Sequence, residues 1–206
     1  MRAVVRRLCG VTMMVWLLGL GACASPPSRF YILTPLPVVP ETAPATAAAR
    51  GPVVGVGPIS FPKYLDRPQI VSRAGRNQLA LGEFDRWAEP LQENVSSVLA
   101  ENLARLVPTD HILLNPWPGS ARLDYQVRVD VLHLDGWLGG ESTLLARWSL
   151  LDRGERELVR QKAHLQVPTS GREYDAMVGA LNQLIDTLSR DIAAAILGLP
   201  PRASRE

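Results

Sequence analysis

Leu123-Asp124-Tyr125-Gln126-Val127-Arg128-Val129-Asp130-Val131 alternates apolar and polar side chains with a period of two. That is the pattern of a β-strand with one buried and one wetted face. Two further long strands follow. One spans about 143–151. The other spans about 157–167, with Val159, Ala163, Leu165 and Val167 facing inward, and Arg153-Gly154-Glu155 makes the tight turn between them. The period then changes to that of a helix. From about 173 to 197, Tyr174, Met177, Val178, Leu181, Leu184, Ile185, Leu188, Ile192 and Ile196 fall on one face, and Pro200-Pro201 ends the run.

Upstream, Pro90 opens a second amphipathic helix, with Leu91, Val95, Val98, Leu99, Leu103 and Leu106 along one stripe and a stop before Pro108. Pro52 to Ile59 reads as a buried strand. Its Gly55-x-Gly57 lacks the third glycine of a dinucleotide fingerprint, and Pro58 forbids a helix there. Segments 69–72 and 78–81 flank Arg73-Ala74-Gly75-Arg76-Asn77 as a hairpin, and 111–114 is a short strand ending at Asn115-Pro116-Trp117-Pro118. Six or seven strands with helices at two separate chain positions predict a single α/β domain over residues 29–199. In this reading one mixed β-sheet is covered by the two amphipathic helices.

The N-terminus carries a different signal. Arg2, Arg6 and Arg7 precede an apolar run from Leu8 to Leu20, and Leu20-Gly21-Ala22-Cys23 closes it. The run is shorter than the ~20 residues of a membrane span. It reads as a cleaved signal peptide, residues 1–22, of the bacterial lipoprotein type. Cys23 then becomes the first mature residue, carrying a covalent diacylglycerol and an N-acyl chain. Without the signal, 19 basic and 20 acidic side chains remain of the 22 and 20 in the whole chain. That balance lacks the clustered basic excess of a nucleic-acid protein. Cys9 leaves with the signal and Cys23 is lipidated, so no disulfide is expected and the domain must rely on its core. The 47% of hydrophobic residues suits that demand.

Residues 23–28 are the lipidated cysteine and a tether. Residues 34–50, rich in Pro, Ala and Thr, read as a flexible connector, and 200–206 as a disordered tail. Between tether and connector lies Phe30-Tyr31-Ile32-Leu33. Docked as a strand, it would keep the domain within about 15–20 Å of the bilayer, and four consecutive apolar residues favour docking.

No catalytic constellation emerges. His111, His133 and His164 lie on different expected strands without ligands at metal spacing, and nucleophile-elbow, paired-histidine and phosphate-loop motifs are absent from the sequence. Asp66, Glu83, Asp85 and Glu89 among Arg67, Arg73, Arg76 and Arg86 read as salt-bridged surface. No cofactor or metal is expected. Pro58, Pro62 and Pro68 instead fix an extended loop holding Phe61, Tyr64 and Leu65. These three, with Trp87 and the glycine-flanked Trp137, are the candidate contacts for a partner or a lipid. The alternative is a loop that folds its aromatics back onto the sheet.

The ordered set of features resembles the PqiC-type ABC-transport auxiliary lipoproteins. The resemblance rests on the lipobox, Phe30-Tyr31-Ile32-Leu33, Tyr64-Leu65-Asp66-Arg67-Pro68, Arg86-Trp87-Ala88-Glu89-Pro90-Leu91 and Asn115-Pro116-Trp117-Pro118. It covers nearly all of the mature chain. It implies an α/β fold and a non-catalytic docking role in an MCE-type lipid transport system of the Gram-negative envelope. The implied partners are a periplasm-spanning MCE-domain protein and its inner-membrane transporter. The implied place is the periplasmic face of the outer membrane, with which Ala24 after Cys23 is compatible, and a homo-oligomer around the conduit suits that role. A second reading is a periplasmic carrier that holds acyl chains in its own pocket.

Overall fold

The computed structural model describes residues 25–38, 51–109 and 111–199. The signal segment, Cys23, most of the connector and the tail lie outside the described residues. Eight strands and two long helices follow in the order β1 (Arg29–Tyr31), β2 (Val54–Ser60), β3 (Gln69–Gly75), β4 (Gln78–Trp87), α1 (Leu91–Leu106), β5 (Ile112–Leu114), β6 (Tyr125–Asp135), β7 (Glu141–Asp152), β8 (Glu157–Pro168) and α2 (Tyr174–Leu197).

The strands divide between two sheets, where one had been expected. The larger has the order β5-β2-β6-β7-β8, with β5, β2 and β6 parallel and β6, β7 and β8 antiparallel. The smaller has the order β1-β4-β3, with β1 parallel to β4. They meet at a seam where Ser72 bridges Gly136 and the Arg73 N–H donates to the Gly136 carbonyl at 2.7 Å. Alternation in the sequence marks which residues are strand. It carries no record of which strands pair, so the division into two sheets was not available from it.

The alternating stretch forms β6, in the middle of the larger sheet, with Val127, Val129 and Val131 buried against the helices. α1 packs over β2 and β5, α2 over β6, β7 and β8, and the helices lie against each other. Leu99, Leu103, Leu144, Leu150, Leu184 and Leu188 fill the space between sheet and helices. Gly57, at φ +120°, sits where the β2–β6 register shifts, in a conformation that a side chain would strain.

Phe30-Tyr31-Ile32-Leu33 docks as expected. Tyr31 registers with Trp87, and the Ala88 N–H donates to the Tyr31 carbonyl at 2.8 Å. The described start of the supposed connector docks too, in contrast to the flexible reading. The Leu33 N–H donates to Asn94 Oδ1 at 2.7 Å, the Thr34 N–H to Asn182 Oδ1 at 3.0 Å and the Leu36 N–H to Asn102 Oδ1 at 2.7 Å. Asn94 Nδ2 returns a bond to the Leu33 carbonyl at 3.3 Å. Asn94 and Asn102 stand eight residues apart on α1, about 12 Å along the axis; three extended residues reach about 10–11 Å, and the asparagine side chains close the difference. The chain therefore lies stretched along the two helices, with Leu33 and Leu36 buried. A Pro-rich composition masked this docking because the partners that satisfy its backbone sit on helices far along the chain.

Asn94→Ala removes the partners of both the Leu33 N–H and carbonyl in a buried place, and should cost about 2–3 kcal/mol of stability. Asn182→Ala, whose bonds to Thr34 are solvent-exposed, should cost under about 1 kcal/mol. Urea-unfolding midpoints with unchanged slopes check this, and equal losses for the two variants would contradict it.

Candidate functional site

After β2 the chain runs through Phe61 and Pro62 into one turn of 3₁₀ helix, Lys63–Leu65, and then to Pro68 and β3. The proline-rich loop is therefore partly helical, not wholly extended. Pro62, at φ −60° and ψ 135°, caps the turn, and its carbonyl accepts from the Leu65 N–H at 3.0 Å. Tightening the loop in this way places Leu65 in the core.

This segment is pinned to the β4–α1 junction. The Trp87 N–H donates to the Pro68 carbonyl at 2.8 Å, and Gln92 Nε2 donates to the Ile59 carbonyl at 2.8 Å. Between the two walls lies an open groove of about 520 Å³. Phe61, Leu65, Trp87 and Leu91 supply its apolar lining, while Asp66, Glu89 and Glu93 set exposed carboxylates around it against the single cation Arg67. The two proline-bounded motifs of the sequence, separated by some twenty residues, thus form the two sides of one feature.

Exposure of the candidates differs from the expectation of free anchors. Leu65 and Trp87 are buried at 4% and 6% exposure, because the 3₁₀ turn and the β1–β4 pairing close over them. Phe61 and Tyr64 are half-buried and pack against the core. Phe61, Leu65 and Trp87 come together in the groove, whereas Tyr64 does not line it. Trp137 is exposed and stands apart, beside Arg73 and Arg76 around a shallow basin of about 450 Å³.

Tyr64 points instead to the seam between the sheets. Its O–H donates to Asp135 Oδ1 at 3.2 Å, and Arg73 Nη2 donates to Asp135 Oδ2 at 2.8 Å. Burial, and then the charge and hydrogen bond of Asp135, push the Tyr64 phenol up to about 12. Of the acidic set, Asp85 is buried. It takes Arg29 bidentately at 2.8 and 3.1 Å and the Tyr31 O–H at 2.9 Å, so it fastens β1 and makes no pair with the arginines near it in sequence.

The sequence reading missed the asparagines that hold residues 33–36. Asn102 also donates through Nδ2 to Asp186 Oδ1 at 3.0 Å and Ser189 Oγ at 3.1 Å, tying α1 to α2. Burial pushes the Asp186 carboxyl above its usual range, and the Asn102 bond partly offsets this. The available signal was the position of Asn94 and Asn102 beside the apolar stripe of α1, where a solvated face would place neither. The three histidines are exposed, His133 on β6, His164 on β8 and His111 next to β5. Among the described residues, no three His, Cys, Asp or Glu side chains converge as a metal site, and no helix is long and apolar enough to cross a membrane.

A family model described as the ABC-type transport auxiliary lipoprotein component matches residues 31–193. The chain is 26% identical over 165 residues to the intermembrane transport lipoprotein PqiC of Escherichia coli K12, covering 80% of this chain and 86% of that protein. Two crystal structures share the fold at a TM-score of 0.67. One, of an uncharacterised protein, is 21% identical and covers 83% of this chain and 99% of its own. The other, of a protein from Xanthomonas campestris, is 17% identical and covers 82% and 95%.

The Tyr64 environment gives a spectroscopic signature. A phenol raised in the folded state from 10 towards 12 contributes stability below pH 10 that is lost as the pH climbs through 12. Tyrosinate absorbance should show a late-titrating group near pH 12, and Asp135→Asn should move that group downward. A titration unchanged by Asp135→Asn would contradict the assignment.

Proposed function

The chain belongs to the family of ABC-type transport auxiliary lipoprotein components, and from that premise we propose that it is a non-catalytic docking subunit of an MCE-type lipid transporter. In this reading Cys23 carries the acyl chains that hold the protein on the periplasmic face of the outer membrane. Two or more chains anchor stably where a single one is marginal, at ~0.8 kcal/mol per buried methylene. The partners are a periplasm-spanning MCE-domain protein and, through it, the inner-membrane transporter. A homo-oligomer around the conduit is part of the same reading.

The observation that carries the proposal is the fixing of the chain just behind Cys23. β1 begins at Arg29, so a short tether leads straight into a segment locked to the body by Asp85, Asn94 and Asn102. A lipid on Cys23 would therefore keep the domain, and the groove with it, within about 15–20 Å of the bilayer. A docking subunit needs that placement, and a carrier moving between membranes does not. The name of the Escherichia coli relative, an intermembrane transport lipoprotein, supports the same direction. The carrier reading has less support, since large apolar side chains pack the space between sheet and helices where an acyl chain would lie.

Affinity purification of the detergent-solubilised native protein, with mass spectrometry of what co-elutes, tests the docking role. An MCE-domain protein should be recovered, and Glu89→Arg with Glu93→Arg, both exposed on the groove, should reduce its recovery about tenfold or more if they desolvate against the partner. Cys23→Ser should release the protein from the membrane while leaving it folded. Recovery of phospholipid without any protein partner would favour the carrier.

A further inference from the structure

The smaller sheet has one face turned inward and one left open, and registry shows what the open face carries. Phe30 pairs with Arg86 and Arg86 with Gln69; past a register shift the Gly82 backbone still faces Asp85 and Tyr174 on the inner side, so Leu81 and Leu79 lie on the side of Phe30, with Val71, opposite Leu81, covered. Tyr31 and Trp87 lie on the opposite side, towards the core. On the open side Phe30 is 66% exposed and Leu81 49%, with Leu79 also exposed. Ile32 continues the alternation of Phe30 past the end of β1 and is exposed as well. The Arg73–Asp135 bond marks where this face meets the basin containing Trp137, itself exposed. Large apolar groups gathered on one open sheet face mark an interaction surface.

The position of the chain start decides what covers it. The described chain begins at Ser25, two residues after Cys23, and is fixed from Arg29 onward. Phe30 therefore lies within about 25 Å of the lipid attachment even with the tether fully stretched. β1 belongs to the smaller sheet, so the exposed apolar groups of that sheet lie beside the anchor. Arg76, exposed in the hairpin turn, places a guanidinium beside Trp137 and the apolar set. Apolar and aromatic groups bordered by arginine match the apolar-to-phosphate boundary of a phospholipid leaflet.

We propose that the face carrying Phe30, Ile32, Leu79, Leu81 and Trp137 rests in the surface of the phospholipid leaflet that holds the acyl anchor. This rests on the lipidation of Cys23. The contact fixes the orientation of the domain on the membrane as well as its distance, with α1, α2 and β8 directed away from the lipid.

The test uses the full, lipidated chain in vesicles of phosphatidylethanolamine and phosphatidylglycerol. The mature protein then has no free thiol, so single cysteines can be labelled with a fluorophore at Phe30→Cys and Leu81→Cys on the face and at Arg160→Cys and Thr187→Cys elsewhere, all at exposed positions. Quenching by lipids brominated near the headgroup end of the acyl chain should be about two- to fivefold stronger at 30 and 81 than at 160 and 187, as expected for groups seated at the headgroup–acyl boundary. Flotation with the vesicles but equal quenching at all four positions would overturn the surface and leave the anchor standing. Failure of the unlabelled chain to float would overturn the anchor and this proposal with it.

Discussion

The backbone of residues 33–36 is held by three asparagine side chains, and the seating of the N-terminal segment and part of the α1–α2 contact depend on that capture. A stretched chain lying across two helices has no strand beside it to take its N–H groups. Left dry and unpaired, the buried N–H groups of Leu33 and Leu36 would each cost about 1–3 kcal/mol. Asn94 and Asn102 on α1 and Asn182 on α2 accept the segment's protons instead. Asn102 then turns its own donors to Asp186 and Ser189, so the side chain that holds Leu36 also holds α1 to α2. The N-terminal segment is thus an integral part of the helical layer.

The same capture gives the segment before it a fixed point of departure. β1 is three residues long and would be marginal by itself. Asp85 reinforces it by taking Arg29 and Tyr31 together in a buried position. Strand pairing, a bidentate ion pair and an asparagine clamp follow one another along fewer than ten residues. Their joint effect is that the chain enters the folded body at a defined point on its surface. The groove between the 3₁₀ turn and the start of α1 inherits that geometry through the Pro68 and Ile59 carbonyls. Family membership identifies the chain as a transport auxiliary, and the clamp on residues 29–36 fixes where its first strand joins the body.

Local periodicity was legible because it records which side of an element is dry. Val127, Val129 and Val131 could only be one face of a strand, and Leu91, Val95, Leu99 and Leu103 only one stripe of a helix; both are buried as that reading requires. The candidate site was legible in part. Phe61, Leu65 and Trp87 were recognised as belonging to distinctive segments, yet nothing in either segment says that they face each other. Their burial comes from a turn tightening and from β1 crossing beside β4, which are events between distant parts of the chain. Asn94 meets Leu33 across 61 residues, and Asp135 meets Tyr64 across 71. A linear pattern has no term for such pairs.

By itself, then, the sequence determined the positions of the long strands and both helices, the α/β class and the family. Each of these is set by short-range order or by a contiguous run of residues. Only the tertiary structure decided that the strands split into two sheets, that the Pro-rich segment begins clamped by asparagines, and that the aromatic loop lines a groove with its tryptophan partner buried. Those outcomes depend on which buried polar groups find partners and which apolar faces find cover, and both are settled only when the whole chain has folded.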